Sequence, residues 1–205
     1  MSERGRRLLL SCLAATALAL PAGCAFVAPA EPPMVTSLLD EMPAQVQHRA
    51  QGQATLLVLP PQARPAIDTT QMAYSLRPHQ LAYFARNQWA ETPAQMLQPL
   101  LVRTMEATGA FVAVLTPPQT GGVKLALRTE IVDLVQDFGE EPPVLRFSLR
   151  AVLSDEAANR TIATREWTLR EPLQQKNPAA GVLAGNEAVA RVLGEVAGFV
   201  LEHAP

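Results

Sequence analysis

From Val144 to Leu153 the sequence alternates. Leu145, Phe147, Leu149, Ala151 and Leu153 are apolar, and Arg146, Ser148 and Arg150 stand between them. A period of two belongs to a strand that gives one face to a core and the other to water. The flanking segments follow the same rule. Val123, Leu125, Leu127, Ile131 and Val135 are expected on one face of a preceding strand. Ala163, Trp167 and Leu169 are expected on one face of a following strand, from about Thr161 to Glu171. The joins, Phe138–Pro142 and Ser154–Asn159, carry turn residues. Three such strands in succession predict an antiparallel meander with one wet face.

Shorter apolar runs precede the meander. Ala54–Leu59, closed by Pro60-Pro61, suits a strand buried on both faces. Met72–Leu76 and Leu81–Phe84 are strand candidates separated by the turn Arg77-Pro78-His79-Gln80, and Phe111–Leu115 is another. Between them lies a helix with its signals in place. Thr92 can cap, Pro93 suits the first helical position, and Gln95 can complete a capping box. Met96, Leu97, Leu100, Leu101 and Met105 form an apolar stripe, and Gly109 suits the left-handed stop. Pro99 is expected to bend this helix. Asn177-Pro178 opens a second helical region reaching about Leu201, with Val189, Val192, Leu193, Val196, Phe199 and Val200 as its buried stripe. Gly181, Gly185, Gly194 and Gly198 either interrupt that helix or permit close packing. The predicted fold is α+β, in two layers, with a mostly antiparallel sheet and two main helices packed on one face.

The first residues read as a targeting segment. Arg4, Arg6 and Arg7 precede an apolar run, Leu8–Leu20, whose 13 residues are too few to span a bilayer. The run ends in Leu20-Pro21-Ala22-Gly23-Cys24, which resembles a bacterial lipobox with Pro21 in place of the usual aliphatic residue. Residues 1–23 are therefore expected to be a lipoprotein signal peptide and Cys24 the site of lipid attachment. The alternative is an ordinary secretory signal with Cys24 incidental. Cys12 lies within the discarded run, so the mature chain would hold no other thiol. Ala25 in the next position, rather than Asp, favours the periplasmic side of the outer membrane over the inner membrane. Pro29, Pro32, Pro33 and Pro43 break up the segment after Cys24. Residues 24–53 are therefore expected as a lipidated Pro/Ala-rich tether and residues 54–205 as a single domain.

Charge excludes some partners. The full chain has 17 basic and 19 acidic side chains. Loss of the signal would leave 14 and 18, a net charge of −4 with no basic run, which argues against nucleic acid. His48, His79 and His203 lie apart and suggest no metal site. Asp133, Asp137, Glu140 and Glu141 gather near one hairpin, where solvated charge is the expectation rather than acid–base chemistry. There is no Gly-x-Ser-x-Gly, and Gly121-Gly122 is a bare turn. No cofactor and no enzymatic activity are expected. Tyr74, Tyr83, Phe84 and Trp89 gather beside Met96 as either a core cluster or an apolar surface for a lipid or a partner.

The order of residues from Ile67 to Leu115 resembles the ABC-type transport auxiliary lipoproteins, the Pqi-type lipoprotein family. The resemblance rests on a Tyr-bearing extended pair, then Trp89-Ala90, the helix opened by Pro93, Gly109, and the Phe111-Val112 strand. These are packing residues, so the resemblance implies a fold and a pathway. It implies an accessory to an ABC permease and ATPase that works with an MCE-domain protein to move phospholipid or other hydrophobic compounds between membranes. Docking to the MCE protein, with self-association of the chain, would follow. A lipid carrier with its own pocket, or a structural lipoprotein assisting outer-membrane protein assembly, are the other readings.

Overall fold

The computed structural model describes residues 31–119 and 122–204; the signal segment and Cys24 lie outside the described residues. The chain divides into two units, Met1–Pro32 and Pro33–Pro205, and the second carries the fold. Its strands are β1 (Val35–Ser37), β2 (Thr55–Val58), β3 (Gln62–Ala63), β4 (Gln71–Ser75), β5 (Ala82–Trp89), β6 (Ala113–Leu115), β7 (Leu125–Asp137), β8 (Val144–Asp155) and β9 (Arg160–Pro172). The helices are α1 (Pro93–Ala107) and α2 (Pro178–His203).

The sheet is built on β7. One edge of β7 pairs with β8 from Leu125↔Asp155 to Asp137↔Val144. Its other edge is shared by three short strands in turn. β2 takes Leu125–Leu127, β3 takes Glu130 and Ile131, and β4 takes Gln136 and Asp137, all parallel to β7. Beyond them the sheet forks, with β6 beside β2 and the β4–β5 hairpin carrying β1 on its outer edge. The long ladders, β7–β8 and β8–β9, are antiparallel, as the alternating pattern predicts. The fold is α+β with both helices on the sheet: α2 packs on β8 and β9, α1 on β6 and β3, and each helix on the other.

Local chemistry fixes the helix ends. The Thr92 hydroxyl accepts from the Gln95 amide at 3.4 Å, and Gln95 Oε1 accepts from the Thr92 amide at 3.0 Å, completing the capping box. Beyond the end of α1, Gly109 has φ +66°. Asn177 Oδ1 accepts from the Ala180 amide at the start of α2.

Three expectations change. The first is Val135. Ile131 pairs with Leu149 but Asp133 pairs with Ser148, so one extra residue is accommodated between Ile131 and Asp133. The bulge reverses the faces of β7 beyond it. Leu134 and Gln136 pair with Phe147 and Leu145 and therefore take the core side, while Val135 joins Asp133, Asp137 and Arg146 on the other.

The second is α2, which runs unbroken through its four glycines. Two of them are places of close approach. A Cβ on Gly181 would collide with the Gln136 side chain, and one on Gly185 would meet Leu39 Cδ2 at 3.3 Å.

The third is the tether. From Val35 onward the supposed spacer belongs to the domain. β1 pairs with β5, and the Ala90 amide donates to the Ser37 carbonyl. Leu39 is 3% exposed within the core cluster. Burying such a side chain contributes about 2 kcal/mol, enough to hold an otherwise featureless segment. The Asn186 side chain of α2 accepts from the amides of Asp40 (2.9 Å) and Glu41 (3.1 Å) and donates to the Leu38 carbonyl (3.0 Å). Further on, the Arg49 guanidinium donates to the carbonyls of Leu201 and Ala204, and its amide to that of Thr108. Residues 38–52 are thus a strap over the helix layer, held to both helices, and the domain starts near Pro33.

Gly181→Ala sets a helix-propensity gain of about 1 kcal/mol against overpacking of about 1–3 kcal/mol. It is expected to lower the stability measured by denaturant unfolding. The same change in a Gln136→Ala background, where the obstructing side chain is gone, is expected to be neutral or stabilising.

Candidate functional site

The four aromatic residues do not form one surface. Trp89, at the end of β5, is 3% exposed. The Cβ position of Gly185 lies 3.7 Å from its indole, so Trp89 is a core residue and is removed from the candidate surface. Tyr74 and Phe84 sit on neighbouring strands with ring centroids 4.5 Å apart. Phe138, from the turn after β7, closes the group at 5.9 Å from Tyr74 and 6.2 Å from Phe84. Both Tyr74 and Phe84 are half-buried against the core. Tyr83 points the other way along β5. Its ring is partly open to solvent and its hydroxyl donates to the Ala66 carbonyl at 2.7 Å.

The carboxylates near the β7–β8 turn are mostly paired. Arg146 on β8 stands between Asp133 at 3.2 Å and Asp137 at 3.3 Å. Its Nε is buried without an aligned hydrogen bond, so the contact with Asp133 is ionic. Glu140 meets Arg170, and Glu141 meets Lys176. Burial raises the Asp133 carboxyl above its usual range, and the charges of Arg146 and Arg64 only partly oppose this. The Asp133–Arg146–Asp137 set lines a cleft of about 260 Å³ closed by Ile67, His79 and Leu81 from the loops around β4. The bulge in β7 turns Asp133 and Val135 toward these loops.

Elsewhere the polar face of the sheet is a cross-strand ladder. Arg150 contacts Glu130 on β7 and Glu166 on β9, both aligned with it by register. Ser148 and Thr168 share a hydrogen bond. Exposed pairs like these contribute at most about 1 kcal/mol each, but they keep this face polar. Of the histidines, His203 bonds through Nδ1 to the Phe199 carbonyl. No group of three metal-ligating side chains is found among the described residues.

A second concavity, of about 890 Å³, runs between the strap and α2. Met42, Val46 and Phe199 supply its apolar part, while Arg165, Arg191 and Glu187 supply charge. Two of these charges tie α2 to the edge strand β9. Arg191 meets the buried Glu171 at 2.6 Å, and Arg165 meets Glu202 at 3.2 Å. The strap residues Leu39 and Arg49 and their partner Asn186 carry no motif. The visible signal is the run Met34-Val35-Thr36-Ser37-Leu38-Leu39, which is too apolar for a solvated spacer.

Residues 37–197 match the family model of ABC-type transport auxiliary lipoprotein components. The fold is similar to that of a protein from Xanthomonas campestris, with TM-score 0.71 and 24% identity over 83% of this chain and 95% of that one. It is also similar to an uncharacterized protein of solved structure, with TM-score 0.67 and 15% identity over 82% and 99% of the two chains. No curated protein matches the chain.

The raised Asp133 carboxyl means the folded chain binds that proton more tightly than the unfolded chain. Its contribution to stability therefore declines as pH rises from the ordinary carboxylate range through the raised value. Asp133→Asn is expected to remove this slope when chemical denaturation is followed from about pH 4 to about pH 7.

Proposed function

Since this chain belongs to the family of ABC-type transport auxiliary lipoprotein components, we propose that it is a non-catalytic, lipid-anchored accessory of an intermembrane lipid-transport system. The observation that carries this reading is the extent of the family match, which spans residues 37–197 and so takes in β2 to β9, α1 and most of α2. In the proposed arrangement Cys24 carries the lipid, the domain lies on the periplasmic side of the outer membrane, and it docks an MCE-domain protein served by an ABC permease and ATPase. Among the described residues no helix is long and apolar enough to cross a membrane.

The start of the domain near Pro33 sharpens this arrangement. Eight residues lie between Cys24 and Pro33, so the nine steps from one to the other reach roughly 30 Å at ~3.3 Å each. Several acyl chains on one terminal Cys make an anchor far more durable than one chain alone. The domain would then be a close-held receptor at the membrane rather than a module on a long line.

Cys24→Ala is expected to move the protein from the membrane fraction to the soluble periplasmic fraction. Crosslinking of the tagged, lipidated protein in membranes, with recovered proteins identified by mass spectrometry, is expected to yield an MCE-domain protein with its ABC partners. Recovery of an outer-membrane barrel alone, under several crosslinkers, would contradict the transport reading.

A further inference from the structure

Among the described residues eight large apolar side chains are exposed, and four of them belong to β1 with its flanking residues and to the turn of α2 that is bonded to it through Asn186. Met34, Val35, Leu38 and Leu183 are between 50% and 67% exposed. Met34 leads into β1, Val35 opens it, and Leu38 follows it. β1 is an edge strand that pairs with β5 alone. Leu183 belongs to α2, and the residue before it, Val182, shares the Asn186 amide with Leu38. That one group donates both to the Leu38 carbonyl at 3.0 Å and to the Val182 carbonyl at 3.1 Å. The same side chain's oxygen fixes Asp40 and Glu41, so the position of Leu38 is set by the fold rather than by chance exposure.

We infer that this edge, Met34, Val35 and Leu38 with Leu183, is the face by which the domain seats on a lipid bilayer. The inference rests on the proposal that Cys24 is the lipid anchor. The length of chain outside the domain, and the point where it ends, single out a bilayer as the occupant. The chain enters the domain at Pro33, one residue before the patch, and the eight intervening residues cannot carry that point farther than roughly 30 Å from the proposed lipid site at Cys24. The β1 end of the patch is therefore the exposed apolar group nearest along the chain to the proposed anchor. Apolar side chains grouped on one surface gain by entering the boundary between headgroups and acyl chains, and a covalent anchor raises their local concentration there. Val112, also exposed, provides the internal contrast, because it adjoins β6 at the opposite end of the strand order from β1.

The test uses the full lipidated chain, with single-cysteine variants Leu38→Cys, Leu183→Cys and Val112→Cys labelled with an environment-sensitive fluorophore. Each is reconstituted on vesicles of phosphatidylethanolamine and phosphatidylglycerol, with and without nitroxide-labelled lipid, and co-flotation is scored in parallel. Probes at Leu38 and Leu183 are expected to brighten roughly twofold or more and to be quenched by the nitroxide, as for groups that leave water at an interface, while the Val112 probe is not. Flotation with all three probes behaving alike would overturn the seating face and leave the anchor standing. Failure to float would overturn the anchor and the seating face together. Brightening without vesicles that grows with protein concentration, with disulfide crosslinking of unlabelled Leu38→Cys between copies, would assign the patch to a second copy of the chain and overturn the lipid assignment.

Discussion

Pairing on both edges of β7 is the interaction on which the rest of the structure depends. Only a strand long enough to hold β8 along its whole length on one side can seat β2, β3 and β4 in sequence on the other. The short strands have two to five residues each, too few to form a sheet of their own, and they borrow their register from β7. The bulge between Ile131 and Asp133 then gives β7 two functions. Before it, alternate residues fill the core; after it, Asp133 and Val135 turn to the loops around β4, and Gln136 turns to α2. Gly181 follows from that placement, because the helix can approach the buried Gln136 only where it has no side chain of its own.

The same economy governs the outer side of the helix layer. A chain that enters beside β1 crosses over both helices before it reaches β2. It is held by one buried leucine, one asparagine clamp and one arginine that closes the carboxyl end of α2. For a protein of this family the consequence is mechanical. The segment whose composition suggests a loose line to the membrane is largely part of the domain, and only eight residues would link it to the proposed lipid site at Cys24. The proposed accessory role would then need no long-range search, since the proposed anchor at Cys24 would hold the domain close.

Much of the fold was legible because it depends on local chemistry. The Thr92–Pro93–Gln95 cap, the Gly109 stop and the period-two pattern of β8 each specify backbone geometry within a few residues. The illegible parts depend on distant partners. Val135 reads as a residue on the same face as Ile131 in a regular strand, and nothing nearby announces the extra residue that changes its face. The strap reads as a spacer because an extended segment has no period. Its holder, Asn186, lies 146 residues from Asp40 in sequence. The candidate aromatic site was legible only in part. The pattern groups Tyr74, Tyr83, Phe84 and Trp89 in sequence, but burial separates Trp89 from the others, and burial is set by Leu39 and Gly185.

If residues 38–52 are a fixed strap, the leash to the proposed anchor ends at Pro33. Amide hydrogen exchange across this segment is the decisive check. A fixed strap requires slow exchange for the amides of Asp40, Glu41, Arg49 and Gly52, each of which donates to a fixed partner. Exchange of all four at the rate of an unstructured chain would contradict it, return the segment to a tether, and lengthen the reach of the domain from its anchor.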